Sequence, residues 1–232
     1  MNKKDKILKI IKPIFYFLFP NKCPFCENKA NINNLCSSCK KLYSNILKTE
    51  ALRDENLKLN MVYASTYKGP VKALLLDYKY RKRKNTIDIY LNLLENNKIF
   101  EDILKNIEYI TYIPTTKKNI LKRGYDQAEL IAIKIAKKYN KKYIKILNRN
   151  EEKESLKIEQ KTLKREERIL NIKNHFLVNK NIKKLKKENI KNILICDDIG
   201  TTLSTAYEAK RVINKEYSNL NVQFFVLAYT KI

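Results

Sequence analysis

Apolar residues along this chain follow two spacings, one typical of strands and one typical of helices. Runs rich in branched and aromatic residues at 107–113 and 222–229 predict buried strands. Between them, 127–139 carries apolar residues at helical spacing, which predicts a buried helix. The largely apolar run at 190–196 is typical of a strand covered on both faces of a parallel sheet. Strands that alternate with helices predict an α/β fold, a parallel sheet flanked by helices.

The remaining patterns divide the chain into parts. They predict strands at 61–67 and 143–147, and helices at 71–80, 87–100, 151–170 and 204–213. The polar stretch at 40–60 reads as a helical connector. We therefore expect three parts: an apolar lead and four-cysteine module at 1–45, a helical connector and the start of the core at 46–106, and the main α/β domain at 107–232.

The first twenty residues combine a basic start with an apolar stretch at 14–19. Lys9, Lys12 and Pro13 interrupt the apolar residues, and no small-residue cleavage site follows, which argues against a secretion signal. We expect a short amphipathic helix here, with a membrane-surface anchor as the alternative. No stretch reaches the roughly 18 apolar residues of a membrane-spanning helix. A cytoplasmic protein without stable membrane insertion is therefore expected.

Positive charge dominates the composition. Lys and Arg number 49 against 24 Asp and Glu, a formal net charge of +25. Such a surface attracts polyanions, and nucleic acid is the obvious candidate. The competing explanation is a coding bias that enriches Lys, Asn and Ile everywhere. Basicity alone supplies only unspecific attraction, so both explanations stay open.

Four of the five cysteines form two closely spaced pairs, Cys23 with Cys26 and Cys36 with Cys39. Two C-x-x-C pairs can aim four thiolates at one point, which predicts a structural Zn²⁺ site. A disulfide is disfavoured without a secretion signal, and a redox role would leave the second pair unexplained. Cys196 stands apart in an apolar run, and we expect a small buried hydrophobe there.

Two adjacent acids, Asp197 and Asp198, follow the apolar run at 190–196 and precede a predicted helix. Backbone N–H groups at a helix start bind phosphate, and paired carboxylates accept hydrogen bonds from ribose hydroxyls. The sequence therefore predicts a ribose-phosphate cradle at the open end of a parallel strand. Its further members would be Gly200, Thr201, Thr202, Ser204 and Thr205. The competing interpretation is a strand end whose acids only cap the helix.

Segment 193–205 resembles the phosphoribosyl-pyrophosphate (PRPP) motif of type I phosphoribosyltransferases. That motif consists of four apolar residues, Asp-Asp, an apolar residue, any residue, and Thr-Thr-Gly. Leu203 stands where the family has its last glycine. If this position needs a positive φ, leucine costs roughly 1 kcal/mol or more.

A second stretch, 112–128, is similar to the ComF (competence protein F) pattern of an apolar residue and proline, a short basic stretch, and Arg-Gly-Phe-Asn-Gln-Ala. Here the last element reads Arg123, Gly124, Tyr125, Asp126, Gln127 and Ala128. Gln160, Arg168 and Asn171 also fall at that family's spacing. Together with the cysteine module, the resemblance runs over nearly the full chain.

The resemblance implies a type I phosphoribosyltransferase-like fold at 107–232 that binds PRPP with Mg²⁺. Arg123, Asp197 and Asp198 would take the catalytic positions, and Lys122 would join the phosphate-binding residues. A ComF-like protein would act in natural transformation, binding single-stranded DNA and a competence helicase or recombination mediator. The alternative is a catalytic phosphoribosyltransferase that acts on a nucleobase or amine. A third hypothesis is a zinc-stabilised scaffold with a vestigial sugar site.

Overall fold

The structure is a computed structural model that describes residues 23, 26, 28–30, 35–80, 86–150, 152, 173–179, 190–201 and 203–230. It divides the chain into two compact units, Met1–Ile46 and Leu47–Ile232. The finer division at residues 45 and 106 stays a prediction. Several predicted features lie outside the described residues: the amphipathic helix at 1–20, Thr202, Gln160, Arg168, Asn171, and the stretch at 151–170 except residue 152.

The first unit contains helix α1, Ser37–Ile46, which begins directly after Cys36. Cys39 and Tyr43 are buried on this helix. They are four residues apart and therefore share a face. Helix α1 thus holds Cys39 close to the other three cysteines.

The second unit is built on a mostly parallel sheet. Its elements are β1 Glu50–Asp54, β2 Leu59–Tyr63, α2 Gly69–Tyr80, α3 Thr86–Leu93, α4 Lys98–Lys105, β3 Tyr109–Tyr112, α5 Lys117–Arg123, α6 Gln127–Lys138, β4 Lys142–Tyr143, β5 Leu147–Arg149, β6 Phe176–Val178, β7 Asn192–Gly200, α7 Ser204–Glu216 and β8 Asn221–Tyr229. Six strands form one sheet in the order β1-β2-β8-β7-β3-β4. Only β1 and β2 pair antiparallel in it, while β5 and β6 form a separate antiparallel pair. The predicted α/β class with a parallel sheet is confirmed.

Strand β7 lies in the middle of the sheet and is covered on both faces. Ile193 and Ile195 belong to an apolar cluster that includes Ala209 and Ile213 of α7. Cys196, on the alternate face, is fully buried as well, and α6 packs against β3 and β7. Since successive side chains of a strand point to opposite faces, the apolar run needs cover on both sides. The expected burial of Cys196 is confirmed.

The chain leaves two neighbouring strands of this sheet in opposite directions. From β3 it passes through α6 to β4 on one side, and from β7 through α7 to β8 on the other. Strands β3 and β7 are parallel neighbours, so their carboxyl ends lie side by side. Such a reversal leaves a crevice at the carboxyl edge that neither of these two crossovers covers, which is where open α/β sheets bind ligands.

Three sequence-based expectations need correction. Part of the predicted helical connector is strand β1, whose alternating exposure hid it among polar residues. The helix predicted at 87–100 is two helices, because Asn96 adopts a φ of 62° and Asn97 caps α4. The strand predicted at 143–147 is two separate short strands. In each case a polar residue or a tertiary pairing overrides a weak local pattern.

The described part of the chain contains no helix that is long and apolar enough to cross a membrane.

Candidate functional site

The predicted carboxylate pair lies at the carboxyl end of β7, which continues through both acids to Gly200. Asp197 and Asp198 border a cavity of about 210 Å³ at the crevice between β3 and β7. The other charged or amide side chains on its wall are Lys79, Asn119, Arg123, Asp126 and Gln127. The structure therefore brings two distant predicted segments, 123–127 and 197–198, to one small polar cavity.

Asp198 is held by a lysine that sequence reasoning did not assign to the site. Lys79 Nζ lies 2.8 Å from Asp198 Oδ2, and the two side chains are 16% and 11% exposed. Lys79 lies at the end of helix α2 next to Tyr78, which is fully buried and donates its hydroxyl to the carbonyl of Gln127 at 2.9 Å. Because the helix is anchored in this way, the ammonium group is fixed against the carboxylate.

Asp197 has a different environment from its neighbour. Its Oδ1 accepts the backbone N–H of Asp198 at 2.7 Å. Burial, followed by the charge of the Asp198 carboxylate, raises the pKa of Asp197 to about 8. Burial therefore favours the neutral form of Asp197.

Local backbone structure explains the residue types at two positions of the segment 123–128. Gly124 ends α5 with a φ of 83°, a conformation that strongly favours glycine. Asp126 caps α6 by accepting the N–H groups of Ala128 and Glu129. Its second oxygen accepts the N–H of Thr115 at 2.9 Å. Burial raises the pKa of this carboxyl group. The motif thus ties the loop after β3 to the start of α6.

Arg123, at the end of α5, and Gln127, at the start of α6, form a hydrogen-bonded pair. The Nη1 of Arg123 donates to Oε1 of Gln127 at 2.7 Å. Arg123 Nε is buried and has no hydrogen-bond partner among the described residues. Tyr125 donates its hydroxyl to the Tyr78 carbonyl, and its ring centre lies 5.7 Å from that of Tyr78. Tyr125 therefore packs against Tyr78, while Arg123 and Gln127 border the cavity.

Other predicted residues lie elsewhere. Lys122 is exposed, with Nζ 5.5 Å from the centre of the Tyr80 ring. A Cβ added at Gly200 would lie 3.1 Å from Cδ2 of Tyr229, so close packing explains this glycine. Thr201 is exposed, Ser204 is buried and Thr205 is half-buried at the start of α7. None of these five borders the 210 Å³ cavity, and their phosphate-binding role stays a prediction.

Leu203 adopts a positive φ of 59°, as the glycine at this position of the family motif suggested. It precedes α7 without a side-chain cap, and its side chain is buried in the apolar cluster rather than on the cavity wall. The backbone conformation costs about 1 kcal/mol or more, and burying a leucine side chain contributes roughly 1.5–3 kcal/mol. Burial therefore offsets the strain, and the leucine leaves the cavity open.

The four N-terminal cysteines form a compact cluster. Their sulfur atoms all lie within 4.8 Å of one another. The Sγ atoms of Cys26 and Cys36 are 3.4 Å apart, which is too long for a disulfide bond, and no disulfide joins any of the four. The Cys39 N–H points to Cys36 Sγ at 3.5 Å. Four sulfur ligands at this separation can bind a metal ion such as zinc.

A larger cavity of about 480 Å³ lies between the β5–β6 pair and α7. None of the predicted site residues that the structure describes borders it. Its Arg211 is engaged with Glu208 and Asn174. The predicted residues Arg123, Asp197 and Asp198 therefore border the smaller cavity and not this one.

Sequence reasoning did not assign Lys79 or Asn119 to the cavity, and it missed the capping role of Asp126. An aspartate before an apolar helical pattern is a recognisable cap signal. The contact of Lys79 with Asp198 could not be read from the sequence, because the two residues lie far apart along the chain.

No family model matches the chain, and no curated protein matches it.

The proton on Asp197 predicts an unusual dependence of stability on pH. The folded pKa lies above the ordinary value of 3.8, so the stabilisation is complete below about pH 4 and is lost as the pH rises towards 8. Asp197→Asn cannot ionise. We expect its melting temperature to exceed that of the wild type by several degrees near pH 8, with a smaller difference near pH 5. The exposed Asp102→Asn is the control, and an Asp197→Asn difference that does not grow with pH would contradict the assignment.

Proposed function

We propose that the cavity at the β3–β7 crevice binds a phosphorylated ribose, PRPP, and that the chain acts as a ComF-like protein of DNA uptake. One observation carries the proposal: Asp197, Asp198 and Arg123 border one cavity although Arg123 and the acids lie on different elements. Carboxylates suit ribose hydroxyls, and a guanidinium group suits phosphate oxygens. PRPP contains both kinds of group.

In this proposal the fold corresponds to that of type I phosphoribosyltransferases. The hydroxyls of the sugar would face Asp197 and Asp198, and its diphosphate would face Arg123. The 5′-phosphate would lie at the start of α7, where Leu203 offers no capping oxygen and backbone N–H groups favour an anion. Mg²⁺ would enter with the diphosphate, whose oxygens it prefers, and would neutralise part of its charge.

A catalytic phosphoribosyltransferase is the second candidate, favoured by the same observation. When diphosphate leaves the sugar, negative charge develops on the departing oxygen, and a cation there lowers the barrier. Arg123 would take this role, since it borders the same cavity as the acids. An enzyme should release diphosphate when a nucleobase or amine is added, whereas a DNA-uptake protein need not.

Binding of single-stranded DNA is proposed from charge and from one exposed surface. The chain carries a net charge of +25. On α5, Lys117, Lys118 and Lys122 are exposed, and Tyr80 beside Lys122 is 54% exposed. Cations attract the phosphates of a strand, and an exposed aromatic ring can stack on a base. A competence helicase or recombination mediator would be the protein partner.

The cysteine cluster is proposed to hold one structural Zn²⁺. Four cysteine ligands leave no open position for chemistry, so the metal would stabilise the first unit. Burial raises the pKa of the Cys39 thiol, and a bound cation would supply the charge that favours the thiolate.

The PRPP proposal predicts calorimetric binding that depends on the carboxylates. With Mg²⁺ present, the intact wild-type chain should bind PRPP, and the double variant Asp197→Asn, Asp198→Asn should bind at least about tenfold more weakly, because each substitution replaces a carboxyl oxygen that would contact the sugar hydroxyls with an amide NH₂ group. Asp102→Asn, an exposed substitution, should bind as the wild type does. No binding by the wild type, or equal binding by the double variant, would refute the proposal.

The DNA proposal predicts a steep salt dependence of single-stranded DNA binding without sequence preference. Replacing Lys117, Lys118 and Lys122 by Gln should reduce the slope of log K against log salt by about 0.7 for each phosphate that the variant no longer neutralises. A matched triple variant at Lys173, Lys191 and Lys215 should change the slope less. Absence of binding by the wild type at low salt would end this part of the proposal.

The metal proposal predicts one zinc per chain after purification without added metal. Cys39→Ser should lose the metal and lower the melting temperature of the first unit, while Cys196→Ala should retain it. A wild-type chain without zinc would show the assignment to be wrong.

A further inference from the structure

The four clustered cysteines of the first unit differ in their exposure to solvent. Cys26 is exposed, whereas Cys23, Cys36 and Cys39 are at most 9% exposed. An oxidant dissolved in water reacts with a cysteine only where it can reach the sulfur atom, so solvent access is one of the properties that make a cysteine reactive. Among these four residues, Cys26 is therefore the one that such an oxidant meets first.

Cys36 is placed to react with an oxidised Cys26. The Sγ atoms of the two residues lie 3.4 Å apart. A disulfide bond needs about 2.05 Å between its sulfur atoms, so a shift of about 1.4 Å brings them to bonding distance. Cys36 comes directly before helix α1, and its Sγ accepts the Cys39 N–H at 3.5 Å. The exposed sulfur thus has a less accessible sulfur beside it, which is the arrangement that oxidation-sensitive cysteine pairs share.

We infer that Cys26 is an oxidation site and Cys36 its resolving partner: a peroxide converts Cys26 to a sulfenic acid, Cys36 closes a disulfide with it, and the cluster releases its metal ion. The two thiol steps stand on the geometry of the cluster alone. The release of metal rests on the proposed zinc site, because two of its four sulfur ligands are consumed. A sulfur atom in a disulfide no longer carries the thiolate charge that binds a metal.

The reaction balances with peroxide as the oxidant. The Cys26 thiolate attacks one peroxide oxygen, so that an S–O bond forms, the O–O bond breaks and hydroxide leaves. The Cys36 thiolate then attacks the sulfur of the sulfenic acid, so that an S–S bond forms, the S–O bond breaks and a second hydroxide leaves. The two sulfur atoms together lose two electrons, and the peroxide gains them. A thiol reductant reverses the disulfide, after which the four thiolates can bind metal again.

Cys196 provides the contrast within the same chain. It is fully buried in β7, and burial raises the pKa of its thiol. A thiol that is both inaccessible and protonated is inert towards oxidants. We therefore expect Cys196 to stay reduced under conditions that oxidise Cys26, which makes it an internal control.

A peroxide titration of the intact chain as purified tests the inference. After a substoichiometric addition of hydrogen peroxide, an alkylating reagent blocks the remaining thiols, peptide mass spectrometry locates the disulfide, and a chromogenic chelator measures free zinc. We expect a Cys26–Cys36 disulfide, a reduced Cys196, and about one zinc ion released for each peroxide consumed. A first disulfide that omits Cys26, or one that joins Cys26 to a cysteine other than Cys36, would overturn the inference.

Two matched variants separate the exposed cysteine from a buried one. Cys26→His and Cys23→His each replace one sulfur ligand by an imidazole nitrogen, which also binds zinc. Cys26→His lacks the exposed thiol, so its zinc release by the same peroxide concentration should be at least about tenfold slower than that of the wild type. Cys23→His keeps Cys26 and Cys36 and should release zinc at about the wild-type rate. Equal rates in the two variants would contradict the inference. If either variant fails to fold, the position of the first disulfide in the wild type decides.

The two readouts distinguish this inference from the metal proposal. A chain purified without zinc that still forms the Cys26–Cys36 disulfide first supports the oxidation site and refutes the metal proposal. A zinc-loaded chain whose first disulfide omits Cys26 supports the metal proposal and overturns the inference.

Discussion

The parallel pairing of β3 with β7 is the constraint on which the rest of the site depends. It aligns the loop after β3 with the carboxyl end of β7, and the chain then leaves the two strands in opposite directions. Neither of these two described connections crosses the junction, so a cavity can form there. The apolar side chains of β7 hold this arrangement because they are buried on both faces. Without that pairing, Arg123 and the two acids would not meet.

Charge at the junction is balanced by specific interactions rather than by composition. The net charge of +25 describes the chain as a whole, yet the described cavity wall carries three acids and two cations. Lys79 neutralises Asp198, backbone N–H groups surround Asp126, and burial favours the neutral form of Asp197. An ionised carboxyl group in this setting needs a partner or loses its charge. The two adjacent carboxyl groups therefore have different environments.

Strongly periodic segments could be predicted from the sequence, and tertiary pairings could not. The helix at 127–138 and the strand at 221–229 match their patterns closely, because burial on one or both faces determines the residue types. The edge strand β1 was missed because half of it is solvent-exposed and polar. Cysteine spacing indicated the cluster, since ligand geometry is local to two short turns.

In the candidate site as well, residues with a local sequence signal could be predicted, whereas their tertiary contacts could not. Asp197 and Asp198 were singled out because they follow an apolar strand and match the phosphoribosyltransferase motif. Lys79 was not assigned to the site, because its contact with Asp198 joins residues far apart along the chain. Leu203 was correctly identified as a position of backbone strain, but its burial in the core could be seen only in three dimensions. Local chemistry can be read along the chain, and the partners of each group depend on the fold.

Hydrogen exchange with and without PRPP and Mg²⁺ would locate the ligand on the intact chain. If PRPP binds at the β3–β7 crevice, exchange should slow at 113–128 and 197–206 and stay unchanged around the larger cavity at 147–149 and 174–178. Protection confined to that second region, or no protection anywhere, would contradict it.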